Sequence, residues 1–295
     1  MESKARYDVP AMKTAAALIA VAVIAHAEPV MEKQLLFGGA TTKGWSPAES
    51  TVEISPSRVK VNPTALHWHV TVDYHGGEVK YPIGWPRFGR GITEPSRDWS
   101  AWDFLHMWVY TTSSRPVLPR EPVGLGLHVP DRANAYSVRL TELKLNEWVE
   151  IKIPIARIPR PSDVRHIQFH ISESDYKHGD KLDLFIDDLA LLRYAQPTIL
   201  DFAAETTVAF TDARSLAARF QLSGVKPGDA VPIACELRCN GKVVAHSTTP
   251  ASRGPQRISL SLDKKLAPGN YELAVRAGNG DKATARVRLI ESPWR

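Results

Sequence analysis

Three strand-length segments in succession between residues 147 and 193 constrain this chain more than any other feature. They are Glu147-Trp-Val-Glu-Ile-Lys-Ile-Pro-Ile155, Val164-Arg-His-Ile-Gln-Phe-His-Ile-Ser172 and Leu182-Asp-Leu-Phe-Ile-Asp-Asp-Leu-Ala-Leu-Leu192. Each alternates apolar and polar residues, the period of a half-buried strand and not of a helix. In the middle segment Ile167, Phe169 and Ile171 fall on one face, and His166, Gln168, His170 and Ser172 on the other. That polar face is not the Lys/Glu mixture of a plain solvated surface. His, Gln and Ser make directed hydrogen bonds, so the face has the chemistry of a ligand site.

Further strands are expected near Thr51–Ser55, Leu66–Tyr74, Glu78–Ile83, Leu105–Thr111, Val123–Val129 and Tyr136–Thr141. Short strands at close intervals, with little helical periodicity, indicate an all-β sandwich. Residues 28–50 read as an irregular lead-in, 51–194 as the first domain and 195–201 as a linker. From Phe202 the texture changes. Six strand segments between Ala217 and Ile290 are punctuated by Lys226-Pro-Gly-Asp229, Asn240-Gly241, Ala267-Pro-Gly-Asn270 and Gly278-Asn-Gly-Asp281. Residues 202–295 are therefore expected to form a second, smaller sandwich of the immunoglobulin-like type. The Pro-spaced stretch Pro116-Val-Leu-Pro-Arg-Glu-Pro122 is a loop.

The N-terminus predicts export. Lys13 precedes an unbroken apolar run from Ala15 to Ala25, and Ala25-His26-Ala27 fits a small-x-small cleavage site. Residues 1–27 are read as a signal peptide, since the run is short for a bilayer span of about 20 residues. A secreted or periplasmic location follows, with no transmembrane segment after cleavage. The net charge of +5 is too small and too dispersed for nucleic-acid binding. It admits an acidic polysaccharide without requiring one. Cys235 and Cys239 are four residues apart. On a strand that is roughly 13 Å, whereas a disulfide needs about 4.4–6.8 Å between Cα atoms. Two free thiols are expected.

The ordered set of segments resembles a family. "W-x-x-I-x-I-P-I", "I-x-F-x-I" and a closing "L-F-I-D-D-L-x-L", preceded by Asp98-Trp-Ser-Ala-Trp-Asp-Phe-Leu-His-Met-Trp-Val-Tyr110, resemble carbohydrate-binding modules of the galactose-binding-like jelly-roll type. The resemblance covers roughly residues 45–195 and speaks to fold more than to function. Trp102 stands where the pattern has Tyr or Phe, and Met107 where it has Phe. The resemblance implies a glycan held on the sheet face. It also implies a structural calcium, whose ligands here would be Asp187 or Asp188 with Glu49 or Glu53. Calcium takes six to eight oxygens, several from backbone that a sequence does not reveal. The bland alternative is that Asp187-Asp188 marks a bulge.

Two groups of residues are candidates for holding a sugar. The loop Tyr81-Pro-Ile-Gly-Trp-Pro-Arg-Phe-Gly-Arg-Gly91 carries Tyr81, Trp85 and Arg87. An aromatic ring offers a flat face to a sugar ring, and a guanidinium binds hydroxyls or a uronate carboxylate in bidentate fashion. Trp85 serves equally as a plug for the end of the core. The second group is a concave face that unites Trp108, His128, Gln168, His170 and His69, if their strands belong to one sheet. Gly124 and Gly126 would then leave a trough. The competing reading is a solvated surface with scattered histidines.

His67 and His69 share one strand face, about 6.5–7 Å apart at Cα. A third ligand such as His75 or His170 would complete a zinc site. Catalysis has no motif of its own. No Gly-x-Ser-x-Gly, His-Glu-x-x-His or phosphate loop is present in the sequence, and no acidic pair announces itself as glycosidase machinery. The sequence reading is a non-catalytic, polysaccharide- or oligosaccharide-binding protein with no organic cofactor. Its second domain would be a spacer or a contact for a protein partner. The alternatives are a lyase or glycosidase using the same groove and a structural protein of the cell envelope.

Overall fold

The structure, a computed structural model, describes residues 29–76, 84–130, 132–280 and 282–293. The export signal, the strand expected at Glu78–Ile83 and the candidate Tyr81 lie outside these residues. Strand is the dominant element and no α-helix is present among the described residues. The all-β expectation holds.

Eleven strands build the first half. They are β1 (Met31–Phe37), β2 (Trp45–Ala48), β3 (Thr51–Ser55), β4 (Ala65–Thr71), β5 (Arg87–Gly91) and β6 (Phe104–Ser113), followed by β7 (Gly124–Val129), β8 (Arg132–Arg139), β9 (Trp148–Pro154), β10 (His166–His170) and β11 (Lys181–Tyr194). One sheet has the order β3-β4-β11-β6-β9, with β1 added beside β11. The other has the order β2-β5-β10-β7-β8. Alternation decides which residues lie between them. Leu66, Trp68 and Val70 of β4, Leu105, Met107 and Val109 of β6, and Ile167 and Phe169 of β10 are buried in one core. Phe88 and Phe169 stack there at 5.0 Å, and Trp68 meets Phe88 at 4.7 Å. Truncating any one of these three aromatics to Ala removes about 3–5 kcal/mol.

Strand β11 organises the first sheet. It pairs with β4 through Lys181–Ile186, with β1 through Leu189–Tyr194, and with β6 along its other edge. The register breaks between Asp187 and Ala190, and Asp188 has φ of 55°. This is a β-bulge, and Asp tolerates the left-handed region better than most residues.

Three sequence expectations are corrected. Residues 28–50 are not an irregular lead-in, because β1 extends the first sheet and β2 opens the second. Gly38, Gly39 and Pro47 hide this by breaking the apolar period. Residues 195–201 are not wholly linker, because β12 (Thr198–Ala204) begins within them. The segment 81–91 is not loop throughout, because β5 pairs with both β10 and β2.

The second half adds β13 (Val208–Phe210), β14 (Ser215–Ser223), β15 (Val231–Cys239), β16 (Lys242–Ala251), β17 (Gly254–Ser261), β18 (Gly269–Ala277) and β19 (Lys282–Ile290). They form the sheets β12-β14-β17 and β13-β19-β18-β15-β16 around a separate core that includes Phe220, Leu237 and Leu273. Cys235 and Cys239 are unpaired on β15. The two halves meet at Asp103, which is buried. Its Oδ1 lies 2.9 Å from Arg253 Nη2, and its Oδ2 accepts the Tyr194 and Gly224 N–H groups at 3.0 and 3.3 Å. Arg253 also donates to the carbonyls of Ser100 and Trp102.

Candidate functional site

The outer face of the β2-β5-β10-β7-β8 sheet carries most of the predicted residues. Register places Arg87 across from His170 and His170 across from Gly124, which in turn faces Arg139. The next rung is Gly89, Gln168, Gly126 and Ser137, and the next is Gly91, His166 and His128. Paired residues of antiparallel strands project to the same side, so Arg87, Gln168, His170 and His128 share one surface. His166 and Arg139 belong to it too. His166 stood on the polar face in the sequence but outside the expected groove, and Arg139 is linked to the face only by the pairing of β8.

The glycines do not leave an empty trough. A Cβ at Gly124 would lie 2.4 Å from His170 Nε2, and one at Gly89 would lie 2.3 Å from His166 Nε2. Each imidazole therefore rests on the backbone of a neighbouring glycine. The result is a shallow floor paved by two rings, with Gln168 between glycines on both sides. His170 Nε2 lies 3.3 Å from Arg139 Nη1. Burial, and then the Arg139 charge, push the His170 pKa down to about 4. Burial and the neighbouring His128 also lower that of His166, and the two rings are 5.0 Å apart. At neutral pH these imidazoles are uncharged, each with one donor and one acceptor nitrogen. Arg139 is balanced by Glu121 at 3.3 Å.

Trp85 stands at the end of this face. It is 41% exposed, packs edge-on against His170 at 5.7 Å, and lies beneath the Arg87 guanidinium at 4.8 Å. It does not plug the core. Two carboxylates hold the backbone beneath it. Glu49 accepts the Trp85 N–H, and a Cβ at Gly84 would lie 2.5 Å from Glu173 Oε1 and 2.6 Å from Glu49 Oε2. Glu173 is only 3% exposed, and among the described residues its Oε2 has no hydrogen-bond partner. Burial, together with the charges of Glu49 and Asp73, raises its pKa. This acidic pair went unread in the sequence, because Glu49 and Glu173 lie on separate loops.

The single groove is corrected. Trp108 and His69 lie on the outer face of the other sheet, on the far side of the sandwich from His170. Trp108 is covered by the segment after β3: Lys60 Nζ lies 4.6 Å from its ring, and Arg58 lies over Tyr110 and Phe185 at 4.3 and 5.3 Å. The apolar-polar period fixes the face of each strand but not the sheet that receives it.

The residues suggested for calcium do not converge. Asp187 accepts the N–H groups of Lys60 and Val61, both at 2.7 Å, and the Asn62 amide at 2.6 Å. These donors lower its pKa against the effect of burial. A carboxylate ringed by N–H groups has no lone pair aimed at a cation. Asp188 is neutralised by Lys33 at 2.8 Å. Glu53 is bonded to His67 at 2.8 Å, and Glu49 lies beside Trp85. The four do not fit a shared calcium. Shallow concavities of about 220–340 Å³ lie elsewhere, and none of them is lined by Trp85, Arg87, Gln168 or His170.

No protein-family model and no curated protein matches the chain. Among solved structures it is similar to a β-1,2-glucanase from Parabacteroides distasonis, at 13% identity and a TM-score of 0.37, covering 84% of this chain and 36% of that one. The glycoside hydrolase domain of Endo-D from Streptococcus pneumoniae gives 14% and 0.32, covering 83% and 37%. A β-glucuronidase from Ruminococcus gnavus gives 10% and 0.24, covering 90% and 46%. The chain spans less than half of each, and at these TM-scores the likenesses carry no argument about what it does.

Proposed function

We propose that this chain binds a polysaccharide non-covalently on the outer face of the β2-β5-β10-β7-β8 sheet. The observation that carries this reading is Trp85, an exposed indole held beside Arg87 and His170 at the rim of a flat, hydrogen-bonding floor. An aromatic face takes the C–H side of a sugar ring. Gln168 and the neutral imidazoles exchange hydrogen bonds with its hydroxyls. Arg87, stacked on Trp85, brings guanidinium donors beside the ring for hydroxyls or a carboxylate of the glycan. A sheet face suits a chain lying across it better than a small molecule enclosed on all sides.

The catalytic alternative has less support. Glu49 and Glu173 converge, but Glu173 is buried against the backbone of Gly84 and Glu49 is engaged by the Trp85 N–H. They support Trp85 and do not present themselves to a bond above the sheet. We further propose that the first sandwich is a galactose-binding-like module and the second an immunoglobulin-like spacer or protein contact. Export would leave the chain secreted or periplasmic. N-terminal sequencing of the exported protein is expected to begin at Glu28, and an intact Met1 or Met12 would refute cleavage.

Affinity electrophoresis tests the binding reading, with gels carrying neutral and uronate polysaccharides. Retardation by one glycan, lost in Trp85→Ala and retained in Trp108→Ala, is the expected result. Unchanged mobility across the panel would overturn it.

A further inference from the structure

A second cluster of ligand-type side chains lies on the opposite side of the sandwich. His67 and His69 project from β4, and Asp183 projects from β11 directly across from His69. Asp183 Oδ1 lies 2.8 Å from His67 Nε2 and 2.7 Å from His69 Nδ1. All three ligand atoms are within 4.8 Å of one another. The expected third ligands, His75 and His170, do not take part. We propose that His67, His69 and Asp183 bind a divalent transition-metal ion of the zinc class.

The orientation of His67 is the sharpest argument. Its Nδ1 faces Glu53 Oε1 at 2.8 Å, while its Nε2 faces Asp183. Both ring nitrogens thus point at carboxylate oxygens, which only accept. An imidazole whose Nδ1–H is taken by Glu53 presents its Nε2 lone pair toward Asp183, and a cation placed between that nitrogen, Asp183 Oδ1 and His69 Nδ1 would be ligated by all three.

The outer atoms of all three ligands are already held. Glu53 takes the Nδ1–H of His67, which leaves Nε2 as the lone-pair nitrogen. Thr71 Oγ1 lies 3.3 Å from His69 Nε2, and Thr112 donates to Asp183 Oδ2 at 3.1 Å. Phe185 stacks on His67 at 4.2 Å and fixes its plane. Such outer partners are the usual accompaniment of metal-bound imidazoles and carboxylates. Two imidazoles and one carboxylate select zinc, nickel or copper over calcium or magnesium. Ligands of a tetrahedral zinc at about 2.0–2.2 Å stand roughly 3.3 Å apart. The cluster must therefore open slightly, most readily at His69, which is 38% exposed. Three protein ligands leave the fourth position to water.

The test is calorimetric titration of metal-stripped, tag-free protein with zinc chloride, alongside cobalt(II) absorption as a reporter of coordination. One zinc per chain and an intense four-coordinate cobalt spectrum are expected. His69→Ala and Asp183→Asn should abolish both, while His246→Ala leaves both unchanged. Glu53→Gln, at an exposed position, should keep the fold and weaken binding about 10–100-fold. Circular dichroism melting checks that each variant is folded. Absence of saturable binding would overturn the proposal. So would equal binding by Glu53→Gln, His69→Ala and the unmodified chain, which would place the metal elsewhere. Neither outcome depends on whether a glycan binds the other sheet.

Discussion

Acidification is expected to weaken this protein through His170 in particular. The ring lies over Gly124, and its Nε2 sits 3.3 Å from the Arg139 guanidinium, which donates to it only while the imidazole is neutral. Protonation would set two cations against each other on a partly desolvated surface. The native pKa is pushed from 6.5 to about 4. Between these values the unfolded chain binds the proton more readily than the folded one, so stability rises with pH across the window. It is complete above the ordinary value of 6.5 and is lost as pH falls toward 4. At a pH of about 4.5 the shift corresponds to about 2.5 kcal/mol. The ring is partly open to water, and screening leaves about 1 kcal/mol of that. Urea unfolding of the unmodified protein and of His170→Gln, at neutral and acid pH, isolates the effect. His166 and the paired carboxylates titrate in both proteins and cancel in the difference. The unmodified protein should lose about 1 kcal/mol more than the variant on acidification. Equal losses, or an imidazole NMR titration of His170 centred at its ordinary value, would refute the reasoning.

Trp85→Ala should weaken glycan binding about 5–30-fold, the worth of about 1–2 kcal/mol of aromatic contact, while calorimetry finds its melting temperature little changed. Gly89→Ala places a methyl group 2.3 Å from His166 Nε2 and 2.9 Å from the Ile167 carbonyl. It should destabilise by about 1–3 kcal/mol in urea, and no loss would mean that the floor is not closely packed. Asp103→Ala leaves Arg253 without its carboxylate partner at the junction of the two sandwiches. It should cost about 3–5 kcal/mol, and scanning calorimetry showing unchanged cooperativity would argue against a coupled junction. Glu173 has a raised pKa, so it weakens the fold as pH rises from the ordinary glutamate value through the native one. Glu173→Gln should therefore gain stability over the unmodified chain at alkaline pH and show little difference in acid, measured by urea midpoints.

The sequence was most legible where side chains alternate. On β4, β6, β7 and β10 the burial of Leu66, Met107, Leu125 and Phe169 follows directly from a period of two. What alternation cannot supply is strand order. His69 and His170 both sit on polar faces, yet the chain delivers β4 to one sheet and β10 to the other. The same gap concealed Asp183 as the partner of His67, since the register of β11 against β4 is a long-range fact. Strand β5 was missed for a different reason. Gly89 and Gly91 erase the apolar period, and they do so because His166 needs the space above Gly89.

The glycines connect the fold to the proposed site more closely than the aromatics do. Gln168 is flanked by Gly89 on β5 and by Gly126 on β7, so no side chain stands beside it on either neighbouring strand. His170 is flanked on one side by Gly124 and lies down upon it. An ordinary sheet would fill these positions with β-branched residues, which pack and stabilise the pleat. Glycine there gives up stability in exchange for a low floor that a sugar ring lying flat can approach. The opposite sheet shows the contrast. Its outer face carries Phe185, Tyr110 and Trp108 beneath Arg58 and Lys60. One outer face is thus kept low and open beside Trp85. The other has its aromatic residues covered by Arg58 and Lys60, beside the His67, His69 and Asp183 cluster.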